Sequence, residues 1–104
     1  MQTTITARHG EIPEDLKGRT EVVLARLAKR AERPTSAHVT FDQARLVASA
    51  EIVLNAARNA VFVARAEADD HRTALDRVAA KVQRQLMKRE ENPARKAARK
   101  AAAR

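Results

Sequence analysis

Arg77, Lys81, Arg84 and Lys88 recur at spacings of three and four residues near the end of this 104-residue chain. Such spacing puts all four cations on one continuous face of a helix. A row of fixed positive charges is suited to the phosphates of a polyanion. The same segment carries Leu75, Val78, Val82 and Leu86 at equivalent spacings, so a second face is set aside for a core.

Other chemistries find less support. The chain has no cysteine, which removes disulfides, thiolate nucleophiles and thiolate metal sites together and suits a reducing compartment. His9, His38 and His71 fall in three different elements, and none of their spacings puts two on one helix face, so no metal site is expected. Ser36 and Ser49 lack the glycine pattern of a nucleophile elbow, and two glycines in the whole chain leave no Gly-rich phosphate loop. Asp69-Asp70 is accounted for as a helix cap. The expectation is therefore a protein that is not an enzyme, uses no cofactor and takes no small-molecule substrate.

Several elements must position the cations. Residues 2–7 alternate around Ile5 between threonines and end at His9-Gly10, which predicts a first strand. Pro13 suits a helix start, Glu14 and Asp15 complement its positive end, and Leu16, Val23, Leu24, Leu27 and Ala31 recur at helical spacing until Pro34. A first helix is predicted near 13–32, weakened in its first two turns by Gly18, at about 1 kcal/mol relative to alanine.

From Ser36 the period becomes two. Ala37, Val39 and Phe41 face one way, His38, Thr40 and Asp42 the other, and Ala50, Ile52, Leu54 and then Phe62, Ala64, Ala66 repeat the pattern around a turn in residues 55–59. Asp69 or Asp70 then caps a helix running to about Arg89, where Asn92-Pro93 stops it. The order β-α-β-β-β-α predicts an α+β fold, a four-stranded sheet with both helices on one face, like a double-stranded RNA-binding domain. Residues 1–90 form the expected domain. Residues 91–104, with five basic residues and one acidic, form an expected flexible basic tail.

The net charge is +8, half of it in that tail, and the isoelectric point is near 11.0. This favours nucleic acid or an anionic surface as partner. No apolar run approaches the ~20 residues that span a bilayer, and no signal peptide is apparent, so a cytoplasmic protein without membrane contact is expected. On the first helix Arg19, Arg26, Lys29, Arg30 and Arg33 gather to one side of the apolar stripe, and Glu14, Glu21 and Glu32 to the other. Two basic faces on neighbouring helices are expected to converge on a groove lined by cations. The chain has two aromatic residues, Phe41 and Phe62, both at core-type positions, which argues against base stacking on the sheet. The candidate RNA contacts are Arg19, Arg26, Lys29 and Arg30 on the first helix and Arg77, Lys81, Arg84, Lys88 and Arg89 on the last.

The stretch 66–88, AEADDHRTALDRVAAKVQRQLMK, resembles the terminal strand and helix of the ribosome hibernation promoting factors, also called ribosome-associated translation inhibitors. Ala66, Glu67, Asp70, Ala74, Asp76, Lys81, Arg84, Gln85, Leu86 and Lys88 fit that family's pattern, with Leu75, Val78 and Val82 as apolar replacements. Met1, Gln2, Ile5 and Thr6 resemble its start, so the likeness covers residues 1 to about 89. It implies the β-α-β-β-β-α fold and a translation silencing factor on the small ribosomal subunit, where it occupies the decoding region, blocks messenger and transfer RNA and promotes ribosome hibernation in stationary phase or stress.

The resemblance makes Lys81, Arg84 and Lys88 contacts to rRNA phosphates; Arg77 joins them from the stripe alone. Two positions depart from the pattern: Arg72 stands where the family commonly has tyrosine, and Ala68 where it prefers glycine. Ending at Arg104, the chain resembles the family's short form, expected to be a monomer off the ribosome. A general double-stranded RNA-binding domain is the alternative, but that class grips phosphates with a lysine cluster where this chain has Asp69-Asp70. A domain binding acidic proteins is a third reading, separable by nuclease treatment.

Overall fold

The computed structural model describes residues 1–91. Its elements are β1 (Gln2–Ala7), α1 (Glu14–Arg30), β2 (Ser36–Ala44), β3 (Val47–Ala56), β4 (Ala60–Ala68) and α2 (His71–Glu91), the predicted order. The strands form one sheet in the order β1-β2-β3-β4. β2, β3 and β4 are an antiparallel meander, whereas β1 runs parallel to β2. Parallel neighbours cannot be joined by a tight turn, and α1 supplies the crossover between them.

Period-two patterning sorts the sheet into two faces. Ala37, Val39 and Phe41 of β2, Ala50, Ile52 and Leu54 of β3, and Phe62, Ala64 and Ala66 of β4 are all buried in one cluster with Leu16, Val23, Leu24 and Leu27 of α1. Ala74, Leu75, Val78, Val82 and Leu86 of α2 complete it, so both helices cover the same face. The residues under α2 change in size along its length. Ala50 pairs with Ala66 near its start, while the larger Leu54–Phe62 pair lies further along, under its later turns. Thr20 is the buried polar residue of α1, and its hydroxyl donates to the Leu16 carbonyl at 2.7 Å, which removes the cost of burying it.

Element ends differ from expectation in four places, each for a local reason. α1 starts after Pro13, which occupies the cap position with extended backbone, and its carbonyl accepts from the Leu16 and Lys17 N–H groups. It closes at Arg30 because Ala31 is already extended, at ψ 146°, and Arg33 lies beyond it with φ 47°, so Arg33 is a loop residue and not part of the helical cluster. Gly18 is accommodated inside the helix. β3 is longer than Ala50–Leu54 because Ala48 and Ala56 continue the inward alternation. The β3–β4 turn is confined to 57–59, with Arg58 and Asn59 in left-handed backbone, while Asn55 stays in the strand and donates to the Ser36 hydroxyl at 2.9 Å.

Asp70 caps α2. One carboxylate oxygen accepts the Thr73 N–H at 2.7 Å and the other the Thr73 hydroxyl at 3.0 Å. The Asn92-Pro93 stop and the basic tail lie outside the described residues.

Candidate nucleic-acid interface

α2 follows β4 after a link of two residues and runs back along it, so the flank of α2 that meets β4 is determined by which side chains reach that strand. Arg77 Nη1 donates to the Glu67 carbonyl at 2.9 Å, Lys81 Nζ to the Arg65 carbonyl at 2.8 Å, and Gln85 Nε2 to the Val63 carbonyl at 2.8 Å. The spacings agree because four residues, slightly more than one helical turn, advance about 6 Å, close to the ~6.8 Å of two strand residues. Each turn of α2 therefore meets one outward carbonyl of the edge strand. Arg84 and Lys88 continue this flank, and a shallow groove between helix and strand is lined by Ala64, Arg65, Lys81, Arg84, Gln85 and Lys88.

The other flank of α2 faces α1. There Asp76 accepts from Arg19 Nη2 at 2.8 Å and from its Nε at 3.2 Å, a bidentate pairing across the helix seam. Asp76 and Arg77 are about 100° apart on the helix, and the successive positions 81, 84 and 88 all stay on the side of Arg77. The expected groove, lined by cations from both helices, is thus corrected. The α1 cations border the seam, the α2 cations border β4, and the body of α2 stands between them.

Taken singly, the candidates fall into four environments. Arg77, Lys81, Arg84 and Lys88 are exposed along the β4 flank. Arg26, Lys29 and Arg30 are exposed on α1, with no side-chain hydrogen bond or ion pair among the described residues. Arg19 is partly buried and held by Asp76. Arg89 departs most from expectation: its guanidinium lies 5.8 Å from the centre of the Phe62 ring and its Nε is buried, so it covers the end of the core rather than joining the basic flank. Position 89 is three residues after Leu86 and seven after Val82, which puts it on the apolar stripe. Gln85 and Arg65 belong to the site although neither is an expected contact from the charge pattern; Gln85 is readable at four and eight residues from Lys81 and Arg77.

A second polar cluster stabilises the end of the sheet beside the α2 start. His9 Nδ1 lies 2.7 Å from Asp42 Oδ1, and His71 Nε2 lies 3.0 Å from the Asp42 carbonyl, with its ring edge-on to Phe41 at 5.6 Å. The hydrogen bond with His9, followed by the Gln43 N–H, holds the Asp42 carboxyl below its usual range. The Thr73 N–H and hydroxyl do the same for Asp70. His38 bonds Thr6 on the open face of the sheet at 3.3 Å. Each histidine thus has a structural partner, and among the described residues no group of three or more His, Asp or Glu could hold a metal ion. No helix among them is long and apolar enough to cross a membrane.

The family model for sigma 54 modulation protein / S30EA ribosomal protein matches residues 3–93, from the first strand through the whole basic flank of α2. The chain belongs to this family. Its hibernation-factor character, read from the last helix, is therefore supported by a match over both helices and all four strands. Among curated proteins no sequence matches. Among solved structures, a ribosomal subunit interface protein from Coxiella burnetii is similar with a TM-score of 0.77 at 22% identity, over 88% of this chain and 100% of that one. The N-terminal domain of Thermus thermophilus Protein Y is similar with a TM-score of 0.73 at 26% identity, over 83% of this chain and 96% of that one. The family fold thus persists at low identity, carried by the alternation and the two amphipathic helices.

Proposed function

We propose that this protein is a ribosome-binding translation silencing factor that docks on the small subunit, contacts its rRNA and occupies the decoding region, so that messenger and transfer RNA are excluded. The observation that carries the reading is the basic flank of α2: four exposed cations in a row, three of which, Lys81, Arg84 and Lys88, also fit the basic positions of the family resemblance. The names of the matching family, which includes an S30EA ribosomal protein, and of one structural neighbour, a ribosomal subunit interface protein, support the ribosome as partner. A factor of this kind silences by occupancy and needs no reaction of its own. Its action in stationary phase or stress, and in the cytoplasm, follows from the same reading.

The general double-stranded RNA reading loses ground at one residue. That class needs cations at the start of the last helix, and here Asp70 occupies the start as its cap. Co-sedimentation with purified small subunits tests the proposal. Binding should weaken steeply with added salt, as counterion release requires, and Lys81→Glu combined with Arg84→Glu should abolish it at a salt concentration where the parent binds, with helix content unchanged by circular dichroism. Undiminished binding by that variant contradicts the site.

A further inference from the structure

Among the described residues β4 is an edge strand, with β3 on one side and no strand on the other. In an antiparallel strand the N–H and C=O of a given residue point to the same side, and alternate residues point outward. Because α2 reaches the carbonyls of Val63, Arg65 and Glu67, these are the outward residues, and their three N–H groups share that direction. No acceptor among the described residues engages those N–H groups.

This edge is chemically one-sided. An ordinary free edge offers donors and acceptors alternately and so invites another strand. Here the acceptors at 63, 65 and 67 are engaged by Gln85, Lys81 and Arg77, two of them cationic, while the donors of the same residues stay open; Val61, outward by the same alternation, lies beyond this reach. What remains is a row of backbone donors beside the groove of Arg65, Lys81, Arg84 and Lys88, with one carboxylate, Glu67, paired to Arg65 at 3.6 Å. A β-strand is disfavoured there, because side chains of α2 lie over three of the carbonyls it would need. A chain of acceptors with negative charge fits it.

We infer that the free edge of β4 is itself an RNA-binding element, in which the backbone N–H groups of Val63, Arg65 and Glu67 donate to phosphate oxygens of a strand laid along the α2 flank. The inference rests on the ribosome-binding reading and extends it from side chains to the sheet. It also gives the neutral Gln85 a role, since that side chain closes the Val63 carbonyl that would repel a phosphate. Lys81 and Arg77 spend one donor each on the strand and keep others for the ligand.

Proline at an outward position of an edge strand removes one donor, changes no charge and leaves the ladder intact. Val63→Pro is therefore the informative variant. Its control is Thr3→Pro: Gln2 and Arg8 donate inward to β2-side carbonyls, which makes Thr3 an outward residue of the opposite edge, β1. In small-subunit binding, Val63→Pro should weaken affinity about three- to tenfold with the salt slope unchanged, as loss of a hydrogen bond to a charged group without loss of a cation requires. Thr3→Pro should bind like the parent. Equal affinity for the two variants and the parent overturns the edge inference and leaves the ribosome reading standing; a parent that does not bind small subunits overturns both. Should Val63→Pro fail to fold, amide hydrogen exchange of the unsubstituted protein decides. Slowed exchange at 63, 65 and 67 on the subunit supports the inference, and unchanged exchange there contradicts it.

Discussion

α1 and α2 each carry a row of cations on the same layer of the molecule, yet only on α2 are two of them, Arg77 and Lys81, tied to the sheet. On α2, Arg77 and Lys81 are tethered to β4 carbonyls and point along a defined edge. On α1, Arg26, Lys29 and Arg30 extend into solvent, and Arg19 is neutralised by Asp76. Equal charge does not make equal sites. A tethered cation has already lost much of its rotamer freedom, an entropy of up to about 2 kcal/mol for a fully fixed long side chain, so less is lost again on binding. α2 should supply geometry and α1 mainly field.

The largest test of this difference removes two charges from each row. Arg77→Ala with Lys81→Ala should weaken small-subunit binding by about tenfold or more and lower the salt slope by about 2, one unit for each phosphate that is no longer neutralised. Arg26→Ala with Arg30→Ala should cost only a few-fold, with a slope change below about 1, because these cations act at longer range and are screened. Equal losses from the two pairs would erase the distinction.

The start of α2 holds the tethered row in register, and Asp70 is its cap. Asp70→Ala should lower the thermal midpoint by a few degrees at neutral pH while leaving the salt slope of binding unchanged. The sign of its pH dependence follows from the lowered carboxyl. The stabilisation is fully present above the ordinary aspartate value and is lost as pH falls through the lower folded-state value, so parent and variant should converge in strong acid. A gap in thermal midpoint that widened on acidification would contradict the cap.

The smallest effect concerns the seam. Asp76→Asn frees Arg19 and removes one negative charge facing α1, which should tighten binding about twofold. Because the pair is largely exposed, stability should change by no more than ~0.5 kcal/mol, as read from denaturant midpoints.

Much of this architecture was legible in the sequence because the fold is governed by periodicity. Ala37, Val39 and Phe41 against His38, Thr40 and Asp42 predicted the faces of β2 correctly, and the pair Asp69-Asp70 announced the start of α2, where Asp70 is the cap. Alanine was less readable: with little strand preference, Ala48 and Ala56 gave no sign that β3 continues through them. Arg33 was misplaced on α1 because its charge fits the cluster, whereas its left-handed backbone before Pro34 belongs to a loop. The groove failed for a different reason. A helical period says which residues share a flank, but which flank meets α1 depends on packing, and Arg19–Asp76 on one side with Lys81–Arg65 on the other settles it. Arg89 shows the reverse case, a charge that attracted attention although its position lay on the apolar stripe over Phe62.

The chain has no cysteine, so one introduced thiol can carry a cleavage probe to a known point on the surface. Glu67→Cys, at the β4 edge beside Arg77, and Glu21→Cys, on the flank of α1 away from the cations, each remove one acidic charge, the first also releasing Arg65 from its ion pair. With tethered iron chelates on small subunits, docking through the α2–β4 flank should give strong hydroxyl-radical cleavage of rRNA at the decoding region from position 67 and weak cleavage from position 21. Cleavage from position 21 alone, or rRNA cleaved from neither position while the protein remains bound, would contradict docking through the α2–β4 flank.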